Sequence, residues 1–469
     1  MKKIHFMGIA GSGMNAVAGL AHALDYDISG CDFSDSGKVY AQNLLEQGVP
    51  ISWEHSESHL IGIDILCVTP SVFDLSSSHP EFLKAKEFGI HIMTWQEFMG
   101  VELQKNKKVI AVAGTKGKTT VTSLCGFLFE QSGCDPIVEI GGKLKNWNTN
   151  YRMGAGEYFI CEADEFNDNF LHYKPQVAVI TNLEMDHPEY FSSYEHYIES
   201  FVKFVGNISK NGTLIINIDS KQSKDFLSKI DFFEGDIITY GINSDCDYYL
   251  KSVNLNLETK KSTFEIITKN KEVVKFTSQL IGTHNGLNIL ASYIAGDVCG
   301  ISEGQAFEAI EKFEGVSRRF DLIGKSGGVV VYNDYAHNSM SVKACLDATR
   351  TLYPKNRIWA VYQPHMYSRT ILQLDEYPKS FESADQIVIM EIFASREKGK
   401  PIASQITSEV LVSRIKDAYK DKNIQVRYVK KSEVVDALLG ELLDGDVVVN
   451  MGAGDNSDVA EDLCKKLIK

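Results

Sequence analysis

Short apolar runs recur along the chain, each followed by a turn rich in Gly, Ser or Thr and then by a stretch with helical spacing of its apolar residues. A strand of a parallel sheet reads as a continuous apolar run, because the helices that return the chain cover both of its faces. The pattern therefore predicts strand–helix units around mostly parallel sheets, an α/β fold. Strands are expected at Ile4–Met7, Asp64–Val68, Val109–Ala113, Tyr158–Cys161, Val177–Ile180, Leu214–Ile218, Val329–Tyr332, Ile358–Tyr362, Ile387–Met390 and Val447–Asn450. One stretch differs. Val253, Leu255 and Leu257 alternate with polar residues, and turn-like Lys260-Lys261 and Asn270-Lys271 separate two more strand-like runs, which predicts an inserted antiparallel patch. Polar joints at Glu102–Lys108 and Glu311–Arg319 divide the chain into expected domains of residues 1–104, 105–316 and 317–469.

The length of 469 residues agrees with about three domains. Hydrophobic residues at 44% and charged residues at 23% are ordinary globular usage, which excludes a disordered or fibrous chain. A formal net charge of −14 repels polyanions and argues against a nucleic-acid partner, so any phosphate site must be local. Nine cysteines is an odd number, and the closest pair, Cys125 and Cys134, forms neither a zinc knuckle nor a disulfide framework; a reducing compartment is expected. Lys2 and Lys3 before a mildly apolar run ending in Ala21-His22-Ala23 imitate a signal peptide. Gly8, Gly11, Gly13, Gly19, His5, Ser12 and Asn15 interrupt that run, and no membrane span is readable elsewhere, so a cytoplasmic protein with no membrane partner is expected.

The strongest chemical signal is the run from Ala111 to Thr120, where a strand passes through Gly114-Thr115-Lys116-Gly117-Lys118-Thr119-Thr120 into a helix expected to start near Val121. Backbone N–H groups at such a helix start can cradle phosphate oxygens, Lys118 can neutralise the β/γ-phosphates, and the Thr119 hydroxyl can ligate Mg²⁺. The pattern is an ATP site, although Val112 stands where the full motif has its first glycine. A second Gly-rich turn, Gly8-Ile9-Ala10-Gly11-Ser12-Gly13, follows the first strand, with Asp32 at the distance of a ribose-binding acid. Its GxxGxG spacing is not the GxGxxG of nicotinamide sites; a nucleotide diphosphate group is the better fit, and an NAD-dependent oxidoreductase is the competing class.

Three polar segments follow apolar strands, where a doubly wound sheet displays its binding groups. Glu162-Ala-Asp164-Glu165 follows the strand Tyr158–Cys161, and a carboxylate there would face the phosphate loop and hold Mg²⁺. His187 ends Thr181–His187 and could ligate a second Mg²⁺ or steady a phosphate. Arg318-Arg319 precede Asn333-Asp334-Tyr335-Ala336-His337, and a fixed guanidinium suits a transferring phosphoryl group. His55 and His59 lie four apart without a HExxH frame and read as a wet helix face.

In their order, GTKGKTT (114–120), EADE (162–165), TNLEMDH (181–187), THNGLN (283–288), GVSRRF (315–320) and NDYAH (333–337) resemble the motif set of the Mur ligases, over nearly the whole chain. The resemblance implies a Rossmann-like UDP-sugar domain, a central P-loop-type ATPase domain and a Rossmann-like C-terminal domain for the incoming amino acid. HFMGIAGSGM, SGCD at 29–32, GEYFICEADE at 156–165 and QPHMYSRT at 363–370 are most similar to the branch that joins L-alanine to UDP-N-acetylmuramate. A related branch attaches a preformed tripeptide. Branches adding later residues usually carry a carbamylated lysine where this chain has Phe201.

The resemblance further implies ATP with two Mg²⁺ ions, held by Thr119, Glu162 and His187, and ATP contacts from residues 114–120, Asn285 (adenine), Arg319 and Asp334 (ribose). It places the UDP-sugar on Gly8, Ala10, Gly11, Ser12, Gly13, Asp32 and Ser71, and the amino acid on Tyr335, His337 and Arg369. The chain would act as a monomer or homodimer, its C-terminal domain closing over ATP. The chain departs from the family's pattern at Lys116, which replaces a histidine in the phosphate loop, at Asn338-Ser339, which replace His-Pro, and at Met366, which replaces an arginine that helps hold the amino-acid carboxylate.

Overall fold

A computed structural model describes residues 2–33, 38–70, 79–187, 190–422 and 424–468. The chain forms two compact units, Met1–Gly315 and Val316–Lys469. The first unit holds two sheets. Its N-terminal sheet is parallel, in the order Ile51–Ser52, Asp27–Cys31, Lys3–Met7, Ile65–Val68, His91–Thr94. The second has ten strands: a parallel centre, Asp236–Gly241, Thr213–Asn217, Val177–Ile180, Lys108–Ala113 and Tyr158–Glu162, extended on both sides. Ile110, Ala111, Val112 and Ala113 are all fully buried, as the uninterrupted apolar run requires.

The antiparallel patch is present as Tyr248–Asn256, Lys261–Ile267 and Val273–Ser278, but it prolongs one edge of the ten-stranded sheet. Lys260 and Lys271, both at positive φ, make its two turns. At the opposite edge Ile137–Leu144 and Thr149–Arg152 form a hairpin that the apolar pattern did not reveal. Its glycines and polar residues carry little strand signal. The second unit is a six-stranded sheet in the order Asp321–Ser326, Val329–Asp334, Val447–Met451, Ile358–Tyr362, Gln386–Ile389, Gln425–Tyr428, parallel except for the first pair. Among the described residues no helix is long and apolar enough to cross a membrane.

Candidate active site

The strand Lys108–Ala113 ends in a loop whose geometry only glycine allows. Gly114 has φ +120° and Gly117 φ +86°; a Cβ on Gly114 would run into Thr181 and the Asn182 backbone, and one on Gly117 would lie 2.6 Å from Asn288 Oδ1. Gly117 is the N-cap of the helix Lys118–Gln131, which starts three residues earlier than the sequence suggests, and no side chain caps it. The first-turn N–H groups and the helix dipole are therefore available to an anion. Buried residues run through this helix from Thr119 to Phe129, so the loop stands on a rigid base.

The segment Thr181–Glu184 braces the loop. Thr181 Oγ1 donates to Lys116 O (2.6 Å), Lys116 N–H donates to Asn182 Oδ1 (3.0 Å), and Thr115 Oγ1 donates to Glu184 O (2.6 Å). Lys116, the departure from the family's usual histidine, pairs with Glu184 at 2.5 Å; both are half exposed, so the pair orients the loop more than it stabilises it. From the helix Thr283–Val298, Asn288 donates to Asn285 Oδ1 (3.1 Å), which places Asn285 one residue contact away from Gly117.

Lys118 reaches into the acidic segment. Its Nζ donates to Glu165 Oε2 at 2.7 Å and lies 3.6 Å from Asp164. Burial opposes its charge, but Glu165, Asp164 and Glu162 outweigh that and hold its pKa above the ordinary lysine range. Glu165 is fully buried; burial lifts its pKa while Lys118 pulls it back, and its Oε1 has no hydrogen-bond partner among the described residues. Asp164, Glu165 and His187 each present a donor atom, and these three atoms lie within 4.8 Å of one another. His187 sits at φ +52°, an unusual backbone position for a non-glycine residue. Two carboxylates and an imidazole, one oxygen of them unsatisfied, fit a hard divalent cation such as Mg²⁺.

Of the three metal ligands named from the sequence, His187 is in this cluster. Glu162 ends the neighbouring strand, where its Oε1 accepts from Gly141 N–H at 2.8 Å, and Thr119 is the buried second residue of the helix. A carboxylate of Glu162-Ala-Asp164-Glu165 is expected to hold Mg²⁺, and Asp164 and Glu165 are the two whose donor atoms lie in this cluster. Sequence reading missed Glu139, whose Oε2 accepts from Glu162 N–H and whose pKa burial and Glu162 push well above the carboxylate range. The acidic run EADE signals Asp164 and Glu165, whereas nothing in the sequence signals Glu139. Phe201 is fully buried against Phe170 and Tyr197, so no lysine chemistry is available there.

In the N-terminal sheet Gly8 (φ +90°) and Ile9 donate to Cys31 O, and Gly11 N–H returns to Gly8 O, making a tight turn ahead of the helix Ser12–Ala23. Asp32 accepts from Ala10 N–H at 3.0 Å, Gly13 lies against the Trp95 ring, and Ser12 O accepts from Asn150 Nδ2. Ser71 lies outside the described residues. His55 and His59 overturn their expected reading as a wet helix face. Their side chains are only 10% and 14% exposed and bonded to the fully buried Glu81; His59 is carried by the short 3-10 helix Glu57–Leu60 and His55 lies just ahead of it.

In the second unit the guanidinium groups of Arg318 and Arg319 lie 5.1 and 5.0 Å from the Tyr335 ring centre. Asp334 accepts from Phe320 N–H (2.6 Å) and Ala336 N–H (2.8 Å); burial raises its pKa, and Arg319 and these N–H groups partly offset that. His337 Nδ1 meets Tyr335 O at 2.9 Å, its ring is 6.0 Å from that of His365, and Arg369 binds His365 Nδ1 at 3.0 Å. The structure thus gathers Arg319, Asp334, Tyr335, His337 and Arg369 around one end of the sheet. Met366 is buried at φ +69°. Asn338 caps the helix Ser339–Leu352 through Ser341 N–H, and Ser339 N–H donates to Gln373 Oε1. The two departures at 338 and 339 thus have a local role as a helix start.

Three family models match the chain: Mur ligase family, catalytic domain (residues 3–107), Mur ligase middle domain (112–296), and Mur ligase, glutamate ligase domain (318–454). A UDP-N-acetylmuramate–L-alanine ligase of Caldanaerobacter subterraneus is 36% identical over 464 residues, 98% of this chain and 96% of the relative. One of Clostridium novyi is 33% identical over 461 residues, with coverage of 98% and 96%. The solved UDP-N-acetylmuramate-alanine ligase of Thermotoga maritima has a TM-score of 0.82 at 25% identity, covering 99% of both chains. A murein peptide ligase of Psychrobacter arcticus shares the fold, with a TM-score of 0.71 at 22% identity and coverage of 100% and 99%. With the phosphate loop, the acidic segment and the arginine pair falling within these matches in the family's order, the chain belongs to the Mur ligase family.

Proposed function

We propose that this chain is an ATP-dependent amide ligase that joins L-alanine to the lactyl carboxylate of UDP-N-acetylmuramate, a step in making peptidoglycan precursors in the cytoplasm. The observation that carries the reading is the uncapped helix start at Gly117-Lys118, facing an acidic cluster, in a chain that aligns end to end with ligases of that name. A carboxylate is a poor acyl donor, because its charge and resonance repel an amine. Its oxygen therefore attacks the γ-phosphorus of ATP in line, forming a C–O–P link as the bond to ADP breaks. The amine then attacks the acyl carbon, phosphate leaves, and the nitrogen gives up a proton.

Lys118, the loop N–H groups and Arg319 offset charge on the phosphoryl oxygens. Thr119, Glu162 and His187, with Asp164 and Glu165 beside His187, would hold Mg²⁺, two ions in this reading, which would supply electrostatic stabilisation of the phosphoryl oxygens when bound. Asn285 and Asp334 hold adenine and ribose, while Tyr335, His337 and Arg369 orient the amino acid. The turn Gly8–Gly13 with Asp32 takes the UDP group, and Ser71 belongs to the same set. Residues 1–104, 105–316 and 317–469 serve as the sugar-nucleotide, ATP and amino-acid domains of a monomer or homodimer. The alternative reading is a related ligase whose amine is another amino acid or a preformed tripeptide; Met366, standing where the family has a carboxylate-holding arginine, leaves the amine to be assigned by assay, although QPHMYSRT fits the tripeptide branch less well. Phosphate release measured with UDP-N-acetylmuramate against alanine, glycine, serine and the tripeptide separates the two. Alanine-dependent release supports the proposal, and release with the tripeptide alone replaces it.

A further inference from the structure

Away from the phosphate loop, four imidazoles, a thiol and a carboxylate converge in the N-terminal sheet. His5 comes from the strand Lys3–Met7, Cys31 ends Asp27–Cys31, His55 and His59 flank the start of Glu57–Leu60, and His79 and Glu81 begin the helix Pro80–Phe88. His5, Cys31 and Glu81 are at most 2% exposed. Donor atoms of His5, Cys31, His59 and Glu81 all lie within 4.8 Å of one another, as do those of His55, His79 and Glu81. We propose that His5, Cys31, His59 and Glu81 form a binding site for a zinc-class divalent ion, with His55 and His79 packed beside it.

The crowding around one sulfur argues for an ion over a plain hydrogen-bond network. Cys31 Sγ has His5 Nε2 at 3.2 Å, His55 Nδ1 at 3.1 Å, and the two Glu81 oxygens at 3.4 and 3.3 Å. A thiol has one weak proton to give and cannot serve that many polar neighbours. Exchanging the proton for a divalent cation satisfies them together: the thiol releases H⁺, and thiolate plus Glu81 carboxylate balance the two positive charges. A tetrahedral ion with bonds of about 2.0–2.3 Å spaces its ligand atoms by roughly 3.3–3.8 Å, a small expansion of the separations present. Ser29 Oγ meets His5 Nδ1 at 2.9 Å and turns Nε2 toward the sulfur. His79 Nδ1 is buried with no hydrogen-bond partner among the described residues. Thiolate with imidazole and one carboxylate selects zinc-like ions over Mg²⁺ or Ca²⁺.

The test uses the full-length, tag-free chain after dialysis against a chelator, with no substrate present, so its result is independent of the ligase assignment. Titration with Zn²⁺ against a chromophoric chelator should show a tight stoichiometric ion. Co²⁺ should give intense tetrahedral d–d bands and a thiolate-to-cobalt charge-transfer band. Cys31→Ser should remove the charge-transfer band, and His59→Asn, near the rim, should weaken Zn²⁺ binding at least about tenfold. Absence of stoichiometric Zn²⁺, or a cobalt spectrum without the charge-transfer band, overturns the site even if a variant fails to fold. Full affinity in a folded Cys31→Ser or His59→Asn chain overturns it as well.

Discussion

Replacing Lys118 by methionine removes the partner of a fully buried carboxylate. Glu165 lies 2.7 Å from Nζ with no exposure, so the ionised acid would be stranded, at a cost of about 3–5 kcal/mol. Protonation caps that cost. Relative to an ordinary value of 4.5, holding the acid neutral at pH 7 costs about 1.4 kcal/mol per pH unit, which caps the cost at roughly 3 kcal/mol, and because burial already raises the Glu165 pKa in the wild-type chain the difference between the two chains is smaller. Glu165 in the variant has a folded pKa above its unfolded one, so the penalty is absent below the unfolded value and grows as pH rises toward the folded one. The variant's deficit against wild type should thus be at most about 3 kcal/mol at pH 7 and shrink to under about 1 kcal/mol at pH 5. For a unit of this size the pH 7 deficit is a fall in melting temperature of at most roughly 5 °C, read by calorimetry on the first unit's transition. Adding Glu165→Gln should abolish the pH dependence of the deficit, while phosphate release stays lost in both variants. A deficit that does not change with pH, or ATP turnover retained in Lys118→Met, refutes the reasoning.

Other variants probe separate parts. Gly114→Ala forces a side chain into a φ +120° position against Thr181, and should cost about 1–3 kcal/mol in chemical denaturation and abolish phosphate release. Asn338→Ala should lower the second unit's melting temperature by about 2–4 °C through loss of a cap worth about 1 kcal/mol, whereas Asn338→Asp should not. Arg369→Ala should raise the KM for the amino acid about tenfold or more, with ATP binding measured by calorimetry unchanged.

Much of the fold was legible because parallel strands buried on both faces leave an unbroken apolar run: Val177–Ile180 and Ile358–Tyr362 are found at the expected residues. Strands whose signal is diluted were not. Ile137–Leu144 contains two glycines, and Asp321–Ser326 is half polar at a sheet edge. The phosphate loop was readable because glycine at two positive φ positions and a following lysine are local requirements. Its braces were not, since Thr181–Glu184 is 65 or more residues from the loop it supports, and only the pairing of Val177–Ile180 with Lys108–Ala113 brings them together. The inward turn of His55 and His59 was likewise invisible, because their partner Glu81 is more than 20 residues away.

In the proposed reaction the acid of the sugar nucleotide is activated by the γ-phosphoryl group at the Gly117-Lys118 loop. UDP-N-acetylmuramate labelled with ¹⁸O in the lactyl carboxylate tests it most directly, with released phosphate examined by mass spectrometry during alanine-dependent turnover. The account predicts one ¹⁸O atom in each phosphate and none in the Lys118→Met reaction. Unlabelled phosphate accompanying amide formation would contradict it.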